Sequence, residues 1–211
     1  MLSVMILILV VSTAYAVEWP KGTCTLGKPK TGCPIGWKEG SRRQDTEDHR
    51  NKNSITPAHH FYGTFGIDME FYYCTKDAHA ISGTQHWPVG NYCILRQGIS
   101  FPSGLKTGSI YWDDEDHRNS NEKDGILPSG VFDTNTLIFY FCRTPINLPT
   151  TIPLYLLRYR SPCQQVHGMV AREELVMFDD EDNHNGNLKN GSHPLNDRSI
   201  VGNTLYYCYY D

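Results

Sequence analysis

The chain has 211 residues, with 19 Lys and Arg against 23 Asp and Glu and a formal net charge of −4. That length is enough for one domain with its own core. The mild acidic balance excludes nucleic acid and anionic membrane surfaces as electrostatically driven partners.

Residues 1–16, MLSVMILILVVSTAYA, run apolar from Val4 to Val11 and end in Ala14-Tyr15-Ala16. A hydrophobic region followed by a small-x-small site predicts a signal peptide cleaved before Val17. The run is shorter than the about 20 apolar residues of a spanning helix, and no later segment approaches that length. The expectation is therefore a secreted, extracellular protein, a single domain of residues 17–211, with no membrane insertion. The chain carries seven cysteines and no C-x-x-C pair. In an exported protein that points to disulfides, and it removes the usual zinc and thioredoxin-like readings.

Beyond the leader, the same signals return in order. WPKGTC from Trp19, CPIGWKEG from Cys33, QDTEDHRNKN from Gln44 and FYYC ending at Cys74 make one series. WPVGNYC from Trp87, FPSGLKTG from Phe101, YWDDEDHRNSN from Tyr111 and FYFC ending at Cys142 make the second. The third opens differently, with IPLYLLRY from Ile152 and CQQVHGMV from Cys163, then closes alike with FDDEDNHNGN from Phe178 and LYYC ending at Cys208. Stacked, the acidic stretches read D-[T/D]-E-D-x-x-N-x-N from Asp45, Asp113 and Asp179, each followed 29 residues on by a cysteine. A fixed offset kept three times predicts three internal repeats, about 17–83, 84–150 and 151–211, sharing one core.

Runs such as NYCIL, GSIYW and TLIFYFC, set between Gly, Pro, Asn and Asp clusters, predict strands. VAREELVMF (170–178) is the best helix candidate, yet it aligns with LKTGSIYWD and is predicted as a strand. About four strands per repeat give an all-β protein of about twelve strands with threefold pseudosymmetry. A β-prism of three four-stranded sheets is favoured over a β-trefoil, for which the repeats are long.

The acidic motif admits three readings. Asp and Asn side chains cap their own backbone in turns. They also read sugar hydroxyls beside an aromatic face, and three weak sites would attach firmly to a polymer. Several carboxylates with Asn carbonyls are also the ligand chemistry of calcium, although the spacing is not that of an EF-hand. The candidate glycan contacts are Asp45, Glu47, Asp48 and Asn51 in the first copy. Trp112, Asp113, Glu115, Asp116 and Asn119 follow in the second, with Asp179, Glu181, Asp182 and Asn185 in the third. Tyr111, His117 and Phe178 flank the motifs as further ring faces. If calcium binds, the same motifs hold it; no cofactor is otherwise required.

Catalysis is not expected: three equivalent carboxylate clusters are not an acid–base pair across a cleft, and no G-x-S-x-G or H-E-x-x-H string occurs. His59-His60 reads as surface loop. Asn190-Gly191-Ser192 is an N-glycosylation sequon in a polar loop.

Seven cysteines with one left over allow 105 pairings, and the repeat chooses among them. Three late cysteines at one equivalent position pair most simply with early ones in their own repeats: Cys33–Cys74, Cys93–Cys142 and Cys163–Cys208. Cys24 is then unpaired or available for a covalent homodimer.

The stretches WPKGTCTLGKPKTGCPIGWKEGSRRQDTEDHRNKN, GILPSGVFDTNTLIFYFCR, INLPTTIPLYLLRY, CQQVHGM and LYYCYY resemble the apextrin C-terminal domain, ApeC, over about Trp19 to Tyr210. The resemblance implies a secreted pattern-recognition protein of innate defence that binds microbial cell-wall glycans, peptidoglycan in particular. Some relatives carry a pore-forming module ahead of this domain; with only a leader here, the resemblance implies binding without perforation. A fainter similarity, to the vitelline membrane outer layer protein, supports the β-prism alone. The alternative function is a structural glycan-binding protein of an egg coat or extracellular matrix. Family members usually carry Cys where this chain has Phe101 and Phe141, and an aromatic where it has Cys24.

Overall fold

The computed structural model describes residues 19–80, 90–99, 105–114, 118–143, 148–149, 152–180, 185–199 and 202–211. The predicted signal peptide and residues 115–117 and 181–184 of the motifs lie outside them. Among the described residues there are strands and no helix. Alternating burial is the physical reason: in the strands 38–44 and 106–112 every second side chain turns inward, ending at Gln44 and Trp112, which is the period of a strand with one buried face.

The first segment supplies β1 (Cys24–Gly27), β2 (Lys38–Gln44), β3 (Ser54–Ile55), β4 (Gly63–Phe65) and β5 (Met69–Lys76). The second supplies β6 (Tyr92–Arg96), β7 (Lys106–Trp112), β8 (Glu122–Gly125), β9 (Gly130–Phe132) and β10 (Thr136–Arg143). After a short β11 (Leu148–Pro149) come β12 (Leu154–Arg158), β13 (Val166–His167), β14 (Ala171–Phe178), β15 (Leu188–Gly191), β16 (Asn196–Ser199) and β17 (Gly202–Tyr210). Within the main sheet the expected four strands per segment are five, because the short runs GTF, GVF and NDRS pair as hairpin arms. The 170–178 stretch is a strand, as its alignment predicts.

Fifteen strands form one curled antiparallel sheet, while β11 and β13 make a separate parallel pair. Within each segment the last long strand holds the first, second and fourth: β5 pairs with β1, β2 and β4; β10 with β6, β7 and β9; β17 with β12, β14 and β16. The third strand is lent to a neighbour. β8 pairs with β2, β15 with β7, and β3 with β14. The four-strand orders β4–β5–β2–β8, β9–β10–β7–β15 and β16–β17–β14–β3 result. The first strands meet one another, β1 with β6 and β6 with β12.

Two buried clusters fill the interior. One joins Phe61, Phe71, Ile110, Trp112, Ile138, Val176, Phe178 and Leu205 with a ring of tyrosines. The other gathers Trp19, Trp37, Tyr92, Phe141 and Tyr210 around Cys74 and Cys208.

The three disulfides join Cys33–Cys74, Cys93–Cys142 and Cys163–Cys208, the expected partners. The expected equivalence of the late cysteines fails in one case. Cys74 stands opposite Glu39 and Cys208 opposite Glu173, five residues before Gln44 and Phe178. Cys142 stands opposite Lys106, six residues before Trp112, so it lies one residue further along its strand. Phe141, fully buried, fills the place of the cysteine. The Cys93–Cys142 bridge instead crosses directly between β6 and β10. The matching cross-strand position is a Thr25–Thr75 hydroxyl hydrogen bond of 2.8 Å in the first segment. In the third it is the Tyr155–Tyr209 ring pair at 5.1 Å.

One seam differs from the other two. Gly40 and Gly108 lie so close to the borrowed strand that a Cβ would meet Ile126 O at 2.3 Å and Ser192 O at 2.2 Å. At the same place in β14 stands Glu174, four residues before Phe178. It fits because β3 is two residues long, ending before Pro57, which has no N–H to continue the ladder. The buried Glu174 carboxylate takes over from the missing backbone pairs. It accepts the His60 N–H at 3.2 Å, His60 Nδ1 at 2.6 Å and the Tyr155 hydroxyl. His60 is thus a structural group stacked 4.0 Å from Tyr209, rather than free surface loop.

Candidate functional site

The acidic motifs sit where one segment meets the next. The first Asp of each copy donates its N–H to the last Asn of another copy, and its carboxylate accepts an N–H from the residue before that Asn. Asp45 N–H reaches Asn121 Oδ1 at 2.6 Å, and Ser120 N–H reaches Asp45 Oδ2 at 2.6 Å. Asp113 makes the same two bonds with Asn187 and Gly186, at 2.7 and 2.6 Å. Asp179 makes them with Asn53 and Lys52, at 2.7 and 2.5 Å. The three reciprocal staples close a ring: first copy to second, second to third, third to first. A carboxylate accepting a backbone N–H is one of the stronger hydrogen bonds available.

Inside each copy the seventh residue makes an Asx turn. Asn51, Asn119 and Asn185 accept the N–H two residues on, at 2.8, 3.0 and 3.0 Å. The ninth residue turns its amide N–H toward the second. Asn53 donates to Thr46 Oγ1 at 2.6 Å, Asn121 to Asp114 Oδ2 at 2.9 Å, and Asn187 to Asp180 Oδ2 at 2.7 Å. Asp114 also accepts from Thr136 at 2.6 Å and Gln44 at 2.6 Å. Burial pushes its carboxyl up to about 6 despite those donors, and burial holds Asp180 well above the usual carboxylate range. Burial, with Asp68 beside it, raises Asp45 as well.

Below the ring lies a buried cation that the sequence reading missed. Arg42, 3% exposed, donates to the Tyr73 hydroxyl at 2.6 Å and to Gln44 Oε1. Its guanidinium lies 5.4 Å from the Phe71 ring, 5.7 Å from Trp112 and 5.8 Å from Phe178. Gln44 relays that charge to Asp114, so a buried cation and a buried carboxylate are joined through one amide. Alternation along β2 places Arg42 and Gln44 inward, the signal from which they were legible.

Most of the predicted glycan contacts are therefore committed to structure. Asp45, Asp113, Asp179, Asn51, Asn119 and Asn185 hold staples or turns. Glu47 is buried and caps the His49 N–H at 2.9 Å. Trp112 corrects the reading most plainly: with 0% exposure it faces the core and offers no ring to a sugar, and Phe178 is buried with it at 5.8 Å. Asp48, His49 and Arg50 remain exposed in the first copy, as does Arg118 in the second. Arg50 and Arg118 both adopt a left-handed backbone, φ 59 and φ 61, an uncommon conformation for a side chain of this size. Glu115, Asp116, His117, Glu181 and Asp182 lie outside the described residues. Among the described residues no group of three or more His, Cys, Asp or Glu is placed to hold a metal ion.

Cys24 is the free cysteine and is wholly buried. Burial raises its thiol to about 12, so a covalent homodimer through Cys24 would first need β1 to open. Asn190 of the sequon lies on the exposed side of β15 rather than in a loop. Among the described residues no helix is long and apolar enough to cross a membrane.

The ApeC family model, described as the C-terminal domain of apextrin, matches residues 19–210. No curated protein and no solved structure matches the chain.

Proposed function

The chain belongs to the ApeC family, the C-terminal domain of apextrin, and on that premise we propose that it is a non-catalytic, immune-related extracellular protein that attaches to microbial cell-wall glycans. Three intramolecular disulfides fit the oxidising compartment this requires. The three segments are read as copies of one unit closed about a threefold pseudosymmetric prism, and the repeated pairing of β4–β5–β2–β8 and its two counterparts supports that reading.

One observation carries the proposal. Each motif is stapled through its first and ninth residues, and in the first copy Asp48, His49 and Arg50 between them are exposed, with Arg50 in a left-handed turn that the exposed Arg118 of the second copy repeats. A rigid scaffold that carries a charged turn in more than one copy suits a polymer of repeating sugars, because each weak contact raises the effective concentration of the next. In this assignment Asp48, Glu115, Asp116, Glu181 and Asp182 touch glycan, and the remaining motif residues hold the turn in place. No cofactor is required, because the staples already occupy the first carboxylate of each copy.

Co-sedimentation of the purified protein with insoluble peptidoglycan, chitin and β-glucan, with and without chelator, tests the reading. Retention on at least one of them, unchanged by chelator, supports it. A folded protein that stays in the supernatant with all three overturns it.

A further inference from the structure

The outer face of the four strands β4–β5–β2–β8 carries a second constellation, apart from the acidic motifs. Thr64, Glu70, Arg43 and Glu122 stand opposite one another across the four strands in one row. In the next row Tyr72 lies opposite Ser41, and Tyr62, just before β4, sets its ring 4.9 Å from Tyr72, edge to face. Two hollows of about 480 and 420 Å³ meet at Thr64 and Glu70, within the range of ligand sites, about 300–1,000 Å³.

We propose that this face is a saccharide subsite that takes a neutral pyranose. The proposal rests on the glycan-binding reading above but uses none of the motif residues. A pyranose needs an apolar plate for its C–H face and fixed polar groups for its hydroxyls. Tyr62, 45% exposed, supplies the plate, steadied by Tyr72 and by Lys28 Nζ 4.3 Å from its centroid. Glu70 accepts the Tyr72 hydroxyl at 3.0 Å, which fixes the carboxylate and leaves it further acceptor capacity. Arg43 is held by Asp68, with Nε at 2.9 Å, and brings donors to the same row. Asp68, Glu70, Glu122 and the Glu39 that pairs with Lys28 at 2.7 Å stand against Arg43, Lys28 and Lys30, four carboxylates to three cations, so an anionic sugar is disfavoured.

The other two segments lack the set. By register, the places of Tyr62, Thr64, Glu70 and Tyr72 are taken by Ser129, Val131, Leu137 and Phe139 in the second and by Leu195, Asp197, Thr204 and Tyr206 in the third. This face is therefore a property of the first segment and not of the repeat.

Titration of the full mature chain by isothermal calorimetry decides the matter, with N-acetylglucosamine tetramer and β-1,3-glucan hexamer as neutral probes and galacturonate trimer as the anionic one. Binding of a neutral oligomer, weakened about tenfold in both Tyr62→Ala and Glu70→Gln and kept in Tyr62→Phe, is the expected result. Melting curves confirm that each variant is folded, and Glu70→Gln decides alone should Tyr62→Ala fail to fold. If the wild type binds an oligomer and the folded variants bind it equally well, the subsite is wrong while the glycan reading stands. The subsite is equally overturned if the wild type sediments with a polymer yet binds no oligomer. Equal affinity for galacturonate overturns the neutral assignment. No binding to any oligomer or polymer overturns both.

Discussion

Truncating Asn121 tests whether the motif is a staple or a surface feature. Its Oδ1 accepts the Asp45 N–H at 2.6 Å, and its Nδ2 donates to Asp114 Oδ2 at 2.9 Å and Asp133 O at 2.7 Å. Asn121→Ala therefore strands a backbone donor at the junction of two segments and removes a donor from a buried carboxylate. Each unsatisfied group costs about 1–3 kcal/mol, so the expected loss is about 2–4 kcal/mol out of the roughly 5–15 kcal/mol of a typical domain. Equilibrium unfolding in urea reads it directly, as a midpoint lowered by about 1–2 M at a slope of about 2 kcal/mol/M. Asp48→Ala, at an exposed position of the first copy, is the control and should move stability by no more than about 0.5 kcal/mol. Equal midpoints for the two variants would refute the staple.

Asp114 gives stability a pH dependence. Its folded-state value of about 6 stands above the usual 3.8, so the folded protein holds this proton the more tightly. That contribution is fully present below 3.8 and is lost as pH rises to about 6, worth about 3 kcal/mol. Urea titrations at several values across that window should show the decline in the wild type and a flatter profile in Asp114→Asn; parallel profiles would count against it. Replacing Cys93 and Cys142 together by Thr copies the Thr25–Thr75 pair. Loop closure lost is about 4 kcal/mol and a hydroxyl hydrogen bond returns about 1 kcal/mol, so the fold by circular dichroism should survive with a net loss of about 3 kcal/mol. Chelation should leave the melting temperature unchanged, since the described motif carboxylates other than Asp48 already take hydroxyl, amide or backbone donors; a fall that calcium reverses would contradict this.

Much of the architecture was legible because the repeat carries it. The all-β class followed from short β-branched and aromatic runs set between Gly, Pro, Asn and Asp clusters, and the disulfide partners from early and late cysteines in each segment. What misled was the constant 29-residue offset: one residue fewer between Asn121 and β10 than between Asn53 and β5 moved Cys142 to the other face of its strand, and spacing alone cannot register a loop against a ladder. Trp112 was misread from its acidic neighbours, although its two-residue spacing from Ile110 along β7 already placed it inward. The staples themselves were out of reach. That Asp45 would bond Asn121, and not an atom of its own turn, depends on strands lent between segments, a long-range arrangement with no local signature.

Retention on insoluble peptidoglycan tests the central claim most directly. The wild type is to be compared with a variant in which Asp48, Glu115, Asp116, Glu181 and Asp182 are all changed to Asn or Gln, and with one changed in the second copy alone. The account predicts a partial loss for the single-copy variant and loss to background for the full variant, both with unaltered melting curves. Wild-type retention by the folded full variant would contradict it.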